Sequence, residues 1–94
     1  MFVSSATIWE IEIKRAAGRL RAPEDVAEFA GRVGFKPLTI GFEHALAAGR
    51  LPRLHGDPFD RMLVAQARVE GLTLATADAT LGRYEVPVLE VARA

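Results

Sequence analysis

The chain has 94 residues, half of them apolar, and its twelve basic residues balance its twelve acidic ones. A chain of this size has room for one small core, so we expect residues 1–94 to form a single domain that a second copy would stabilise as a homodimer. The neutral balance gives no overall positive field for nucleic acid, and the absence of cysteine excludes disulfides and thiolate metal sites.

The N-terminal segment has neither the basic start nor the apolar run of a signal peptide. The longest apolar runs of the chain are far too short to cross a bilayer. We therefore expect a cytoplasmic protein that makes no contact with membranes.

The first predicted helix covers residues 6–17. Ser4 and Ser5 precede it and are favoured helix caps, whereas Gly18 follows it and is favoured where helices end. Residues 2–3 are predicted to end a short strand.

Apolar residues recur at helical spacing in and just after this helix and predict a buried stripe that contains Trp9, Ile13, Ala16 and Leu20. The polar Lys14 and Arg15 mark the side that faces water. Trp9 is accordingly expected in the core rather than on a surface that stacks RNA bases.

A second helix is predicted to start with Pro23 in its first turn, followed by acidic residues 24–25, and to end at Gly31 or Gly34. After it, we expect a short extended segment at residues 38–40 and a third helix at residues 42–48. The loop at residues 49–56 is the most basic stretch of the chain.

A fourth helix is predicted to begin at Asp57 and Pro58, because aspartate is a favoured N-cap and proline fits a first turn. Gly71 ends it, and strands are predicted at residues 72–76 and 86–91. Strands that alternate with helices imply a parallel sheet, because parallel strands need a crossover connection. The predicted fold class is therefore α/β, with helices on the faces of a parallel sheet.

Three acidic residues lie near the ends of predicted elements. Glu10 lies in the first helix, Asp60 in the first turn of the fourth, and Asp78 just after the strand at residues 72–76. Because α/β folds place ligands at the carboxyl ends of parallel strands, we expect these residues to gather there. Gathered carboxylates repel one another unless a hard cation binds among them, so the set predicts a site for Mg²⁺ or Mn²⁺.

Three segments resemble motifs of VapC-type PIN domains, the toxin components of toxin–antitoxin pairs. Residues 4–11 (SSATIWEI) resemble the second acidic motif of that family, residues 55–67 (HGDPFDRMLVAQA) the third, and residues 74–78 (LATAD) the fourth. Their order and spacing agree over nearly the whole chain, and the DPFDR block is the most distinctive part. The resemblance implies a PIN-like fold.

The resemblance also implies a metal-dependent endoribonuclease that hydrolyses RNA phosphodiesters by in-line attack of water. Glu10, Asp60 and Asp78 match the family's acidic positions, so the resemblance makes them the catalytic residues and the ligands of Mg²⁺ or Mn²⁺. Asp57 and Thr76 would support them. RNA would be the substrate, and a cognate antitoxin protein would be a partner.

Basic residues in and near the loop at residues 49–56 are candidates for contact with RNA phosphates, namely Arg50, Arg53 and Arg61. Their guanidinium groups can bind phosphate through paired hydrogen bonds, although arginines on a solvated face are more common. His55 is left out of the catalytic set, because a lone histidine is more often a surface or packing residue.

The family's first motif is an Asp at the end of an opening strand, followed by a helix, and no residue of this chain matches it. We therefore expect an N-terminally truncated, partial PIN-like domain that lacks one metal ligand. A start codon assigned too late, a degraded toxin gene, and a short protein that completes its sheet with another chain would each explain this departure.

The acidic residues also have structural interpretations. Glu10 precedes Lys14 by four positions, a spacing that allows a surface ion pair worth roughly 0.2–0.5 kcal/mol. A carboxylate such as Asp60 in a first turn gains about 0.3–1 kcal/mol from the helix dipole. Asp57 is expected to be an N-cap, and Asp78 could cap a short helix or turn.

Three hypotheses follow. The chain is a VapC-type ribonuclease impaired by the missing first Asp, or a catalytically inactive PIN remnant that binds an antitoxin or a second copy of itself. In the third, it is an unrelated α/β protein in which the carboxylates serve only caps and surface pairs.

Overall fold

The structure is a computed structural model that describes residues 1–22, 25–54, 56–76, 79–84 and 86–90. The chain divides into two compact units, Met1–Ile40 and Gly41–Ala94. With four α-helices and parallel strands in the described part, the protein is a small α/β protein, as predicted. None of the described helices is long and apolar enough to cross a bilayer.

In the first unit, two parallel strands are connected through two helices. The elements in order are strand β1 (Phe2–Ser4), helix α1 (Ser5–Ala16), helix α2 (Val26–Arg32) and strand β2 (Lys36–Leu38). Val3 lies opposite Pro37 in the parallel pair. Proline is tolerated in β2 because this sheet has only two strands in the described part of the chain, so both are edge strands.

The ends of α1 agree with the prediction. The Ser4 hydroxyl accepts a hydrogen bond from the Ala6 N–H at 3.0 Å and caps the start of the helix. Gly18 follows the end with φ of 70°, in the left-handed region that glycine adopts without strain.

Two predicted boundaries in this unit are wrong. Asp25 is the N-cap of α2 rather than a residue of its first turn, because its carboxylate accepts the Glu28 N–H at 2.9 Å. Residues 23 and 24 lie outside the described part of the chain. Strand β2 ends at Leu38, so the predicted extended segment starts too late. Pairing with β1 fixes this position, and the Lys36 N–H donates to the Met1 carbonyl at 2.8 Å.

The predicted buried stripe of α1 is also wrong. The side chains of Trp9, Ile13 and Leu20 are 61%, 45% and 39% exposed, and Ala16 is exposed as well. Helical spacing shows that these residues share a face, but it does not show that another element covers that face. The buried residue of α1 is Ala6, at the start of the helix.

The second unit begins with an antiparallel pair of helices, α3 (Phe42–Arg50) and α4 (Pro58–Glu70). Helix α3 is two residues longer than predicted, so the connecting loop is shorter. Helix α4 starts after Asp57 and ends at Gly71, as predicted, and Gly71 has φ of 68°. Its N–H donates to the Ala67 carbonyl, which closes the helix.

A second parallel pair of strands follows, β3 (Leu74–Thr76) and β4 (Val88–Glu90), with a 3₁₀ helix at Ala79–Tyr84 between them. The described strands therefore form two separate two-stranded sheets rather than one continuous sheet. The core of the unit consists of Ala48, Leu51, Val64, Ala65, Ala67, Leu74, Leu81, Tyr84 and Val86. The buried face of α4 contributes most to the centre of this core, since Val64 and Ala65 are fully buried.

His44 links the start of α3 to the end of α4. Its Nδ1 accepts the Gly41 N–H at 2.9 Å, so the neutral ring carries its proton on Nε2, which donates to Glu70 Oε2 at 2.9 Å. His44 is buried, and the amide of the buried Gln66 lies 3.4 Å from Nδ1. A polar network thus fixes the two helices at this end.

Replacing His44 with alanine is expected to lower the free energy of unfolding by about 1–3 kcal/mol, because the Gly41 N–H and the Glu70 carboxylate lose their partner. Urea unfolding followed by circular dichroism measures the change. His44→Gln is the matched control, since a glutamine at this position can accept the N-cap N–H as in a capping box and should lose less. Equal losses in the two variants would contradict this account.

Candidate active site

The first turn of α4 carries two carboxylates. Asp57 is the N-cap, as predicted, and its Oδ1 accepts the N–H groups of Phe59 at 2.8 Å and Asp60 at 3.3 Å. Asp60 itself is half-buried. Because the N-terminus of a long helix carries partial positive charge, this turn favours negative groups, both its own carboxylates and a bound anion.

Arg61 follows Asp60, and its guanidinium holds the end of helix α3. Nη2 donates to the carbonyls of Ala48 at 2.9 Å and Leu51 at 3.1 Å, and Nη1 donates to the carbonyl of Pro52 at 3.0 Å. Carbonyls at a helix C-terminus lack N–H partners within the helix, so the guanidinium of Arg61 provides hydrogen-bond donors there. This geometry favours a structural role for Arg61 over the predicted RNA contact.

Glu10 lies on α1, in the first unit, where it forms the predicted pair with Lys14. Its Oε2 is 3.4 Å from the Lys14 ammonium, and its side chain is 26% exposed. A pair of this kind contributes only a few tenths of a kcal/mol, so it leaves the carboxylate open to a stronger ligand.

Three residues singled out in the sequence lie wholly or partly outside the described structure. Asp78 and His55 are outside the described residues. Thr76 ends strand β3, and its side chain lies outside the described part. The predicted gathering of Glu10, Asp60 and Asp78 therefore stays a prediction.

The donors that the structure does describe suit a hard divalent cation in their chemistry. Glu10 and Asp60 offer carboxylate oxygens, the ligands that Mg²⁺ and Mn²⁺ prefer, and both are partly shielded from water. Within the described ranges, no three His, Cys, Asp or Glu side chains come together in a group that could hold a metal. Asp78, the third predicted ligand, lies outside these ranges.

The sequence matches the model of a known protein family. A model described as PIN domain matches residues 1–87. The chain belongs to the PIN domain family. This is a nuclease family, and its members generally depend on divalent metal ions. Comparisons with curated proteins and with solved structures found no match.

Sequence reasoning missed two features of this PIN domain. One is His44, whose signal was its position three residues after Gly41, where a side chain can reach back to the N-cap. The other is Arg68, an exposed arginine of α4 that lines a cavity together with Arg50. Its partner across the cavity comes from another helix, so no local pattern indicates it.

Arg61→Gln is expected to destabilise the PIN domain by about 1–3 kcal/mol, because hydrogen bonds from a charged donor to three carbonyls are lost while Arg61 is only half-buried. Arg61→Lys keeps the charge but reaches fewer carbonyls. Its stability should therefore lie between that of the native chain and that of Arg61→Gln. Urea unfolding compares these variants.

Arg83→Gln serves as the control, because Arg83 is exposed on the 3₁₀ helix and its loss should change stability by less than about 0.5 kcal/mol. If Arg61→Gln proved as stable as Arg83→Gln, the three hydrogen bonds would not anchor the loop.

Proposed function

We propose that this PIN domain is a metal-dependent endoribonuclease of the VapC toxin type. The observation that carries the proposal is the first turn of α4, where the DPFDR motif places a capped, half-buried Asp60 on a helix fixed by Arg61. The proposed substrate is RNA, in the cytoplasm, and the proposed protein partners are a cognate antitoxin and a second copy of the chain.

Glu10, Asp60 and Asp78 would hold Mg²⁺ or Mn²⁺, with Asp57 and Thr76 in support. When bound, the cation would supply positive charge that stabilises the charge developing on the phosphate and activates a water molecule. The donor chemistry of Glu10 and Asp60 supports this assignment, as does the divalent-metal dependence of the family.

Two residues next to Asp60 in the structure help to fix its position. Asp57 engages the N–H groups at the start of α4 and so fixes the backbone of Asp60. Arg61 ties the same turn to the end of α3. The Asp60 side chain therefore extends from a fixed backbone, and a preorganised group loses little energy to rearrangement during the reaction.

The reaction proposed is hydrolysis. The oxygen of a water molecule forms a bond to the phosphorus, the bond from phosphorus to the opposite ribose oxygen breaks, and that oxygen takes a proton. The products are a phosphomonoester and a hydroxyl, and no oxidant or further reactant is needed. The carboxylate side chains of the site are the groups that can accept the proton of the attacking water.

A second candidate function is binding without catalysis, as an inactive PIN module that recruits an antitoxin or a second copy. The exposed apolar residues of the first unit favour it, among them Trp9, Ile13, Phe29 and Val33. Trp9 and Ile13 are four positions apart in the chain, as are Phe29 and Val33, so each pair shares a helix face, and exposed apolar faces are typical of surfaces that bind protein partners. This candidate predicts binding to a partner and no cleavage of RNA.

In the proposed enzyme, Mn²⁺ or Mg²⁺ should raise the melting temperature, because a ligand that binds only the folded state stabilises it by linkage. Asp60→Asn should abolish most of this rise and lower metal-dependent RNA cleavage at least about a hundredfold, a factor typical of lost electrostatic stabilisation. Differential scanning fluorimetry and a gel assay with labelled RNA measure the two effects.

Glu43→Gln is the matched control, since it also removes one acidic side chain from the first turn of a helix, but in α3. It should retain the metal-dependent rise and the cleavage. Cleavage that persists undiminished in Asp60→Asn would refute the proposed role of Asp60. If the unmodified chain neither binds metal nor cleaves RNA, the result would favour the inactive binding module.

A further inference from the structure

One cavity of the second unit is lined by two arginines that lie far apart in the sequence. Arg50 lies in the last turn of α3 and Arg68 in the last turn of α4, and both are exposed. Their shared cavity has a volume of about 350 Å³ and is otherwise lined by apolar residues, namely Ala47, Leu51, Ala65 and Val69. Neither guanidinium has an ion pair or a side-chain hydrogen bond within the part of the chain that the structure describes.

A second cavity shares one lining residue with the first and reaches the start of α4. Leu51 lines both cavities, and the second one, of about 580 Å³, also contains Arg53 and Pro58. Arg53 is exposed and, among the described residues, makes no ion pair. Pro58 is the first residue of α4, so this cavity reaches the helical turn that carries Asp60.

The chemistry of this surface suits a phosphate backbone. A guanidinium binds phosphate oxygens through paired hydrogen bonds, and two guanidinium groups that line one cavity can both contact one nucleic-acid strand. The neighbouring apolar walls reduce competition from water and strengthen these bonds. An acidic peptide could also meet one arginine, but a continuous polyanion satisfies arginines that follow one another across two adjoining cavities.

We propose that Arg50 and Arg68 form a phosphate clamp for single-stranded RNA and that Arg53 extends this surface towards Asp60. The proposal rests on the ribonuclease function proposed above and assigns the path of its substrate. It replaces Arg61 by Arg68 among the arginines that contact RNA, because the donors of Arg61 are held by backbone carbonyls.

Both arginines also have a local structural effect. Each lies in the last turn of its helix, where a positive charge stabilises the helix dipole. A test therefore needs one variant that keeps this charge and a direct measurement of folding. Arg50→Lys with Arg68→Lys keeps the charge and loses the planar, paired donors.

The experiment is fluorescence anisotropy with a short labelled single-stranded RNA in EDTA, where the chain cannot cleave its substrate with metal. Arg50→Gln with Arg68→Gln should weaken binding at least about tenfold, the factor expected for one lost charge-assisted hydrogen bond. The slope of log affinity against log salt should become shallower by about 1.4, or about 0.7 for each lost contact with single-stranded phosphate. The lysine pair should keep the native slope with intermediate affinity.

Arg83→Gln, an exposed arginine outside both cavities, is the control and should bind RNA like the native chain. Melting curves confirm that each variant compared is folded. If the double variant Arg50→Gln with Arg68→Gln binds RNA as tightly as Arg83→Gln does, the clamp is overturned and the ribonuclease proposal is unaffected. The clamp is also overturned if the pair loses binding only to a labelled glutamate-rich peptide, which would indicate a protein partner. A native chain that neither binds nor cleaves RNA would overturn the clamp and the proposed function together.

Discussion

Polar side chains hold helices α3 and α4 together at both ends, and the second unit depends on this arrangement. His44 and Glu70 join one end, while Arg61 binds the carbonyls at the other. Burial of Val64 and its neighbours supplies most of the favourable energy, whereas the polar contacts at the two ends are directional. The hydrogen bonds have one correct geometry, so they fix the register of the helices and the position of the first turn of α4.

Under the proposed function, that turn explains how a protein without net charge would act on a polyanion. Asp57 and Asp60 concentrate negative charge at the start of α4, where a divalent cation would neutralise it. Arg50, Arg53 and Arg68 lie along the adjoining cavities, apart from this pair. Under the proposed function, the opposite charges are separated along one helix pair. The arginines would bind the phosphate backbone, and the carboxylates would hold the cation. Net charge therefore says little about substrate in this case.

Local signals predicted the parts of the fold that short-range chemistry determines. Asp57 and Gly71 correctly predicted the two ends of α4, because capping and the left-handed conformation depend on a few neighbouring residues. The α/β class and the family also followed from local patterns and motifs. The burial of Trp9 was predicted wrongly because helical spacing does not identify the element that covers a face. The hydrogen bonds of Arg61 could not be predicted from local patterns either, because the partners lie nine to thirteen residues away and are backbone atoms.

Under the proposed function, the distribution of apolar residues bears on how an antitoxin would bind. In the described part of the first unit, the buried apolar residues are Ala6, Val26 and Ala30, whereas Trp9 is 61% exposed. Covering a large apolar side chain is worth about 1.5–3 kcal/mol, so a protein partner on this surface would gain affinity there. Under the proposed function, an antitoxin that covers Trp9 would therefore lie next to Glu10, the residue of α1 that follows it and a proposed metal ligand.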